Sequence, residues 1–297
     1  MALMADMLAH AQGGRATYAL AMTEKDRTKA TALLQSGRIE RAGESIYYEW
    51  VTSDEADTRP VVVLTHGAGG SHAVWYHQVL ALADRYRVLS WDSRGFGNSS
   101  CRSATVSVDD AVADLDGILD AVGVSEPVHL VGQSMGGWWV VGFALAHPER
   151  VRSLTLSDTP GGVWTDELSQ HFASSRVGSV SSQTRVASHP ALGATTHRLR
   201  PDLAFLYQQL GSFHQPPMAE VLRVLGATSV DVATMTGVGS RVLVLAGEED
   251  TIFPAPMLRR LAEALGADYR EIPAAGHSPY FEAPEAYNEL LLAFLDD

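Results

Sequence analysis

Short apolar runs alternate with helix-like segments along most of this chain of 297 residues, and this alternation limits the fold more than any other feature. Residues 61–64 form a continuous run rich in β-branched side chains, which is typical of a strand buried on both faces of a sheet. Further strand-like runs lie at 86–91, 128–131, 153–157, 241–245 and 267–272. Helix-like segments separate these runs, and a hairpin-like segment at 37–51 precedes them. Strand, helix, strand in repetition predicts an α/β fold, with a parallel sheet that helices cover on both faces.

The alternation stops between Asp158 and Thr234, where helix signals continue without a clear strand. Pro201 and Pro217 each open an apolar, helix-like stretch that a glycine closes, which is the usual punctuation of a helix. A helical block inserted between two strands is typical of a lid that covers a site. We therefore predict an N-terminal helical extension at 1–36, an α/β core at 37–160 and 235–297, and a helical cap at 161–234.

The charge balance excludes several classes of partner. Lys and Arg number 22 against 35 Asp and Glu, so the formal net charge is −13. Such a chain repels phosphate backbones and anionic lipid, and we expect neither a nucleic acid nor a membrane partner. A small-molecule substrate is expected instead, and the sequence leaves open whether the chain forms a homodimer.

Targeting and redox signals are few. Asp6 interrupts the apolar start, so we expect no secretory signal, and no apolar stretch has the length of a membrane span. Cys101 is the one cysteine, which excludes a disulfide within the chain and a cysteine-based metal site. A reducing, cytoplasmic location is the simplest expectation.

The strongest chemical motif is HLVGQSMGG at residues 129–137, which contains the pattern G-x-S-x-G around Ser134. A strand-like run precedes it and a helix-like segment follows. A nucleophilic serine at such a junction needs a turn so sharp that only small residues fit two positions to either side. The sequence therefore predicts that Ser134 is a nucleophile.

A second motif, VLTHGAGGSHAVW at residues 63–75, carries a glycine-rich loop directly after a strand. An oxyanion hole requires a backbone N–H from a second segment without bulky side chains. We predict that the Ala68 and Met135 N–H groups are the two donors. His66 is expected to hold the loop by hydrogen bonding and to take no part in catalysis.

The third motif is a pair of loops near the end of the chain. Asp250 and His277 each follow a strand-like run, and a serine nucleophile requires both a base and a carboxylate that orients it. The order serine, aspartate, histidine along the chain accompanies this type of serine turn. We predict a triad of Ser134, Asp250 and His277. Glu248, Glu249 and Asp158 are the alternatives for the acid.

Taken together, these motifs resemble those of an α/β-hydrolase with a helical cap. The resemblance covers residue 37 onwards and includes DSRGFGNS at 92–99, GEED at 247–250 and GHSPYFE at 276–282. It implies an eight-stranded, mostly parallel sheet and no cofactor. No HExxH or other metal-binding constellation is present, so we expect no metal. Serine at 134, where haloalkane dehalogenases and epoxide hydrolases carry a carboxylate nucleophile, argues against those enzymes.

Among capped serine members of this family, the sequence favours a hydrolase of a carboxylic ester or lactone. The alternative is a carbon–carbon bond hydrolase of aromatic ring-cleavage products. Those enzymes often carry an HG-x-G-P-G loop, an Asn before the nucleophile and a Trp after the catalytic His, whereas Gln133 and Ser278 stand here. A non-catalytic receptor of the same fold is a further alternative. An apolar pocket is expected, with wall candidates Trp75, Trp138, Trp164, Phe172, Phe205, Tyr207 and Phe253.

Overall fold

The computed structural model describes residues 32–54, 56–102, 106–174, 185–213 and 215–297. Eight strands form one sheet in the order β1-β2-β4-β3-β5-β6-β7-β8. The strands are β1 Leu33–Arg41, β2 Glu44–Thr52, β3 Val61–Thr65, β4 Arg87–Trp91, β5 Val128–Gln133, β6 Val151–Ser157, β7 Arg241–Gly247 and β8 Asp268–Ile272. From β4 to β8 neighbouring strands run parallel, whereas β1 and β2 form an antiparallel hairpin at one edge. The expected eight-stranded, mostly parallel sheet is confirmed.

Helices connect the strands and lie on both faces of the sheet. The α-helices are α1 Tyr76–Leu82, α2 Val108–Ala121, α3 Met135–Ala146, α4 Asp166–Ser174, α5 Ala194–Leu199, α6 Pro201–Leu210, α7 Met218–Ala227, α8 Val232–Thr236, α9 Ala255–Leu265, α10 Pro279–Glu282 and α11 Pro284–Asp296. Short 3₁₀ turns at His72–Trp75 and Pro148–Arg150 precede α1 and β6.

The two faces of the sheet support separate hydrophobic cores. Alternate residues of β3 point to opposite faces, so that Val61 and Val63 pack with α2, α3 and α9, while Val62 and Leu64 pack with α1 and α11. Helix α3 is apolar on every side and lies against both the sheet and α2. This buried helix is the one that carries the predicted nucleophile at its start, so the site is anchored in the densest part of the fold.

The N-terminal prediction requires a correction. Residues 1–31 lie outside the described residues, but residues 33–36, which we assigned to a helical extension, belong to strand β1. They pair with β2 through residues 49–52, and this edge pairing decides their conformation despite an apolar composition that suits a helix.

The segment between β6 and β7 contains helices α4 to α8 and an isolated parallel bridge between Val163 and Val230. Within its described part, no other strand pairing occurs. We call residues 161–234 the cap segment, and its boundaries as a domain stay a prediction. None of the helices described here combines the length and apolarity that a membrane span requires.

Candidate active site

The predicted site residues lie on loops at one edge of the sheet. Ser134 follows β5, Asp250 follows β7 and His277 follows β8, while the glycine-rich loop follows β3. All four strands are parallel, so their carboxyl ends meet at the same edge. This edge is where α/β folds place their ligands and reacting groups.

Ser134 occupies a strained turn between β5 and α3. Its φ is 48° and its ψ is −121°, outside the regions that L-residues usually adopt. A Cβ on Gly132 would lie 2.6 Å from the Gly136 carbonyl oxygen, and one on Gly136 would lie 2.4 Å from the Thr65 carbonyl oxygen. These contacts confirm that only glycine fits on either side of the turn. Ser134 is half-buried, whereas its chain neighbours are buried.

A chain of two hydrogen bonds joins Ser134, His277 and Asp250. Ser134 Oγ lies 2.8 Å from His277 Nε2, and His277 Nδ1 lies 2.8 Å from Asp250 Oδ2. The carboxylate accepts only if Nδ1 carries the proton, which leaves Nε2 free to accept from the serine hydroxyl. The Ile252 and Phe253 N–H groups donate to Asp250 Oδ1 at 2.7 and 3.1 Å, and these bonds fix the carboxylate.

Asp158, the alternative acid, lies beside this chain but does not replace Asp250. The polar side-chain atoms of Asp158, Asp250 and His277 lie within 4.8 Å of one another. Asp158 instead accepts from the Gly247 N–H at 2.7 Å and the Ser157 hydroxyl at 3.0 Å. Burial, and then the charge of Asp250, raise the pKa of Asp158 well above its usual range. The geometry thus favours Asp250 as the partner of His277.

The glycine-rich loop lies directly against the serine turn. A Cβ on Gly67 would lie 2.9 Å from Ser134 Cβ, so this loop approaches the nucleophile as closely as a backbone can. Ala68 follows in the same loop, and Met135 begins helix α3. The first N–H groups of a helix have no intrahelical acceptor and carry the positive end of its dipole. This arrangement suits two amides that stabilise a negative oxygen beside Ser134.

His66 holds the loop, as expected. The Ser93 N–H donates to its Nε2 at 3.0 Å, and its Nδ1 lies 2.7 Å from the Gly67 carbonyl oxygen. These two contacts require a neutral ring with the proton on Nδ1. Complete burial lowers the pKa of His66, which keeps the ring in that state.

A second support for the loop was missed in the sequence. Asp92 Oδ1 accepts from the His72 N–H at 2.6 Å and lies 2.8 Å from His72 Nδ1, while its Oδ2 accepts from the Asn98 N–H at 2.7 Å. Burial lowers the pKa of His72, but the hydrogen bond and the charge of Asp92, with that of Glu49, outweigh it and raise the pKa overall. The sequence feature that could have indicated this support is Asp92, the first residue of the DSRGFGNS motif.

Gln133 is another residue whose part was not predicted. Its side-chain Nε2 donates to the His277 carbonyl oxygen at 2.8 Å, so the residue before Ser134 holds the loop that carries His277. The sequence showed only that Gln133 stands where the carbon–carbon bond hydrolases of the family often carry Asn.

Four aromatic side chains form a continuous surface beside His277, which we call the aromatic wall: Trp138, Trp164, Phe172 and Phe253. The ring centroids of Trp138 and Trp164 are 5.7 Å apart, and those of Phe253 and His277 are 5.8 Å apart. Phe172 stacks on Phe253 at 6.0 Å. Both indole N–H groups donate to carbonyl oxygens at the end of α7. The wall therefore combines core residues with cap-segment residues, at distances typical of aromatic packing.

Two predicted wall residues lie elsewhere. Trp75 is fully buried on the opposite face of the sheet, where its ring lies 4.6 Å from Tyr280 and 6.5 Å from Tyr287. It belongs to the core, which corrects its assignment to the pocket. Phe205 is 45% exposed on α6 and does not join the wall. Tyr207, on the same helix, reaches the site through a hydrogen bond of 2.8 Å to Ser278.

Among the described residues, Asp158, Asp250 and His277 are the one grouping of acidic and histidine side chains dense enough to hold a metal ion. Each of the two carboxyl groups already accepts from backbone N–H groups, and His277 lies between Asp250 and Ser134. This donor set suits proton transfer from a serine hydroxyl.

Comparisons with known proteins agree with this geometry. The sequence matches the family described as alpha/beta hydrolase fold over residues 60–284. RutD of Caulobacter segnis, which carries the name of a carbamate hydrolase, is 30% identical over 256 residues, covering 80% of this chain and 92% of RutD. Est816, described as an N-acyl homoserine lactone degrading enzyme, superposes with a TM-score of 0.69 at 25% identity, covering 87% of this chain and 100% of its own. The meta-cleavage product hydrolase CumD superposes with a TM-score of 0.70 at 26% identity, covering 88% of this chain and 97% of its own.

Proposed function

The chain belongs to the α/β-hydrolase family, and from this premise we propose that it is a serine hydrolase that cleaves a carboxylic ester or lactone through an acyl-enzyme. The observation that carries the proposal is the pair of 2.8 Å contacts that link Ser134, His277 and Asp250. A chain of nucleophile, base and orienting acid is the arrangement that nucleophilic catalysis requires, and this supports catalysis over ligand binding alone.

Acylation follows from the protonation states of this chain. Ser134 Oγ attacks the substrate carbonyl carbon while His277 Nε2 accepts the hydroxyl proton. Asp250 remains ionised and stabilises the imidazolium that forms. The tetrahedral intermediate collapses as its C–O bond breaks, and the leaving alcohol takes the proton from His277.

Stabilisation of the oxyanion is assigned to the Ala68 and Met135 N–H groups. The proximity of Gly67 to Ser134 Cβ, at 2.9 Å for a built Cβ, brings the first of these amides to the serine turn. One donor of this kind typically contributes about 10²- to 10³-fold to kcat. Both amides belong to backbone that neighbouring groups hold in place, so little reorganisation is required during the reaction.

Deacylation reverses these roles. His277 Nε2 accepts a proton from a water molecule as that water attacks the acyl carbonyl. The second tetrahedral intermediate then expels Ser134, which recovers its proton from His277, and the carboxylic acid is released.

The substrate class is argued from the aromatic wall and from the relatives. Phe253 packs against the His277 ring, and the half-buried rings of Trp164 and Phe172 lie on Trp138 and Phe253, so the surroundings of the base are apolar and suit a small and largely apolar substrate. Est816, which is described as degrading a lactone, supports the ester or lactone assignment.

A carbamate is the second candidate, favoured by the 30% identity to RutD over 92% of that protein. Attack by a serine on a carbamate carbonyl needs the same triad and the same oxyanion donors. The carbon–carbon alternative has CumD as its support, and Gln133 and Ser278 at two positions that differ from that subgroup count against it.

The decisive experiment has two parts. Hydrolysis of p-nitrophenyl acetate should be measurable for the wild type and lost in Ser134→Ala, and a fluorophosphonate probe should label one peptide that contains Ser134. Labelling elsewhere, or undiminished activity of Ser134→Ala, would refute the assignment of the nucleophile. A panel of one ester, one lactone, one carbamate and one dienoate ring-cleavage product, compared by kcat/KM, then ranks the substrate classes.

A further inference from the structure

The carboxylate of Glu282 connects two parts of the molecule that the proposed mechanism treats separately. Its Oε1 accepts from the Gly276 and Ser278 N–H groups at 2.8 and 3.3 Å, and these residues flank His277. Its Oε2 accepts from the Gly193 N–H at 2.7 Å and the Thr196 hydroxyl at 2.6 Å, at the start of α5 in the cap segment. We call residues 276–278, which include His277, the base loop. One side chain thus holds the base loop with one oxygen and the cap segment with the other.

Two further contacts show that the cap segment rests directly on the base loop. A Cβ on Gly276 would lie 2.3 Å from the Gly193 nitrogen, so the two backbones touch where Glu282 joins them. On the other side of His277, the Tyr207 hydroxyl lies 2.8 Å from Ser278 Oγ. Both residues that flank the base are therefore in contact with the cap segment.

The chemistry of Glu282 suits a fixed acceptor. All four of its donors are neutral, and together they engage both oxygens from both sides. Burial raises the pKa of Glu282, while the hydrogen bonds from Thr196 and the backbone amides oppose that rise. An amide in its place would keep one acceptor oxygen and would turn an NH₂ group toward backbone N–H groups on the other side. Those N–H groups cannot accept from it, although the Thr196 hydroxyl can, so at least one of the four hydrogen bonds is lost.

We propose that Glu282 is a positioning residue that orients His277 through the Gly276 and Ser278 amides and makes this orientation depend on the docking of α5. This inference rests on the proposed function, because it takes His277 as the base. It assigns the cap segment a part in placing the base, in addition to covering the site.

Glu249 supplies a matched control. Its carboxylate accepts from the Thr195 N–H at 2.8 Å and the Thr195 hydroxyl at 2.6 Å, and so binds the same turn of α5. Among the described residues, its side chain makes no hydrogen bond to either flank of His277. Only its backbone N–H reaches that loop, where it donates to the Ala275 carbonyl oxygen. Glu249→Gln therefore weakens the docking of α5 and leaves the Gly276 and Ser278 amides with their acceptor.

The test compares Glu282→Gln with Glu249→Gln by steady-state kinetics on the best ester. Glu282→Gln should lower kcat by about 10- to 100-fold, the usual range for residues that orient a functional group. Glu249→Gln should change KM and keep kcat within about threefold. If both variants changed KM equally and left kcat unchanged, Glu282 would only help to hold α5 in place, and the proposal would be overturned.

A spectroscopic comparison, which requires no turnover, separates this proposal from the proposed function. The NMR signal of the His277 Nδ1 proton should shift or broaden in Glu282→Gln and stay unchanged in Glu249→Gln. Thr196→Val, an isosteric change that removes one cap-side donor, should shift the same signal to a smaller extent, and it serves as the deciding variant if Glu282→Gln does not fold. An unchanged signal in Thr196→Val and in any folded Glu282→Gln would overturn the proposal even if Ser134 is the nucleophile.

Discussion

The catalytic edge of the sheet and the cap segment are built in different ways. At the edge, backbone segments touch, as where Gly136 packs against the Thr65 carbonyl oxygen, and neighbouring side chains are buried. The cap segment leaves large apolar side chains in solvent, with Leu199 and Phe213 more than 60% exposed. From this difference we expect close backbone packing to fix the chemistry, and the side chains of the more exposed cap segment to affect access and selectivity.

The largest expected effect tests the catalytic edge itself. Asp250→Asn should lower kcat by about four orders of magnitude, because His277 loses both its orienting acceptor and the charge that stabilises its protonated form. Asp158→Asn should keep kcat within about tenfold of the wild type, since Asp250 and not Asp158 contacts His277 Nδ1, and an amide retains an acceptor for the Gly247 N–H. Kinetics with p-nitrophenyl acetate measure both values. The reverse ranking would move the acid to the loop after β6.

A pair of glycine substitutions compares packing at the edge with packing in the cap segment. Gly136→Ala should lower the free energy of unfolding by about 1–3 kcal/mol or more, because the new Cβ meets backbone oxygens that cannot move aside. In Gly226→Ala in α7, the new Cβ meets nothing closer than the Phe172 ring at 3.5 Å. This change should therefore raise the free energy of unfolding by up to about 1 kcal/mol through helix propensity. Urea unfolding gives both values. Similar destabilisation by the two changes would contradict the contrast in packing.

Selectivity should respond to the cap segment. Trp164→Ala removes a ring of the aromatic wall and should change the ratio of kcat/KM between a short and a long ester by about tenfold. Phe205→Ala, which removes an exposed ring on α6, should leave that ratio within about twofold. An unchanged thermal midpoint is required of both variants. If folded Trp164→Ala leaves every ester ratio unchanged, the pocket is built by the core alone.

The smallest effect concerns two histidines, one in each region. Burial, with Arg152 and Arg241 nearby, lowers the pKa of His129 on β5 to about 4, and burial, with His277 and His197 nearby, does the same for His189 in the cap segment. A histidine with a lowered pKa binds protons more readily in the unfolded chain. Its contribution to stability is therefore complete above pH 6.5 and is lost as the pH falls toward 4.

Urea unfolding between pH 7 and pH 4.5 separates the two regions. His129→Asn should flatten the pH dependence of the free energy of unfolding, because the sheet cannot accept a charged ring without unfolding. His189→Asn should change this pH dependence less, because we expect the cap segment to open locally and expose the charged ring to water without unfolding of the core. A larger effect of His189→Asn would show that the cap segment unfolds only with the core.

Sequence reasoning worked best where local pattern and tertiary packing agree. The parallel strands follow from β-branched runs, and the turn at Ser134 follows from glycines whose contacts leave no room for a side chain. It failed where an apolar side chain fits equally well in two environments. Trp75 and Trp138 are both buried tryptophans, but they lie in the cores on opposite faces of the sheet, and only Trp138 packs through Phe253 toward His277.

The sequence predicted Asp250 as the acid but left Asp158 open as an alternative. Both residues follow parallel strands, and the contact of Asp250 with His277 Nδ1 favours Asp250. The parts played by Gln133 and Glu282 depend on which loop lies opposite, 144 residues away for Gln133 and 89 for the Gly193 contact of Glu282. Contacts between residues so far apart along the chain leave no periodic pattern in the sequence.

The position of β8 at the margin of the sheet bears on how the protein should lose activity. Ser134 follows the interior strand β5, whereas His277 follows β8, which has one neighbouring strand and one buried residue out of five. Marginal strands detach at a lower free-energy cost than interior ones. We expect detachment of β8 to withdraw His277 while the turn at Ser134 stays folded. Loss of activity on heating or in denaturant should then precede melting of the sheet and be reversed when the strand rejoins it, so that residual activity would report on the margin of the molecule and not on its centre.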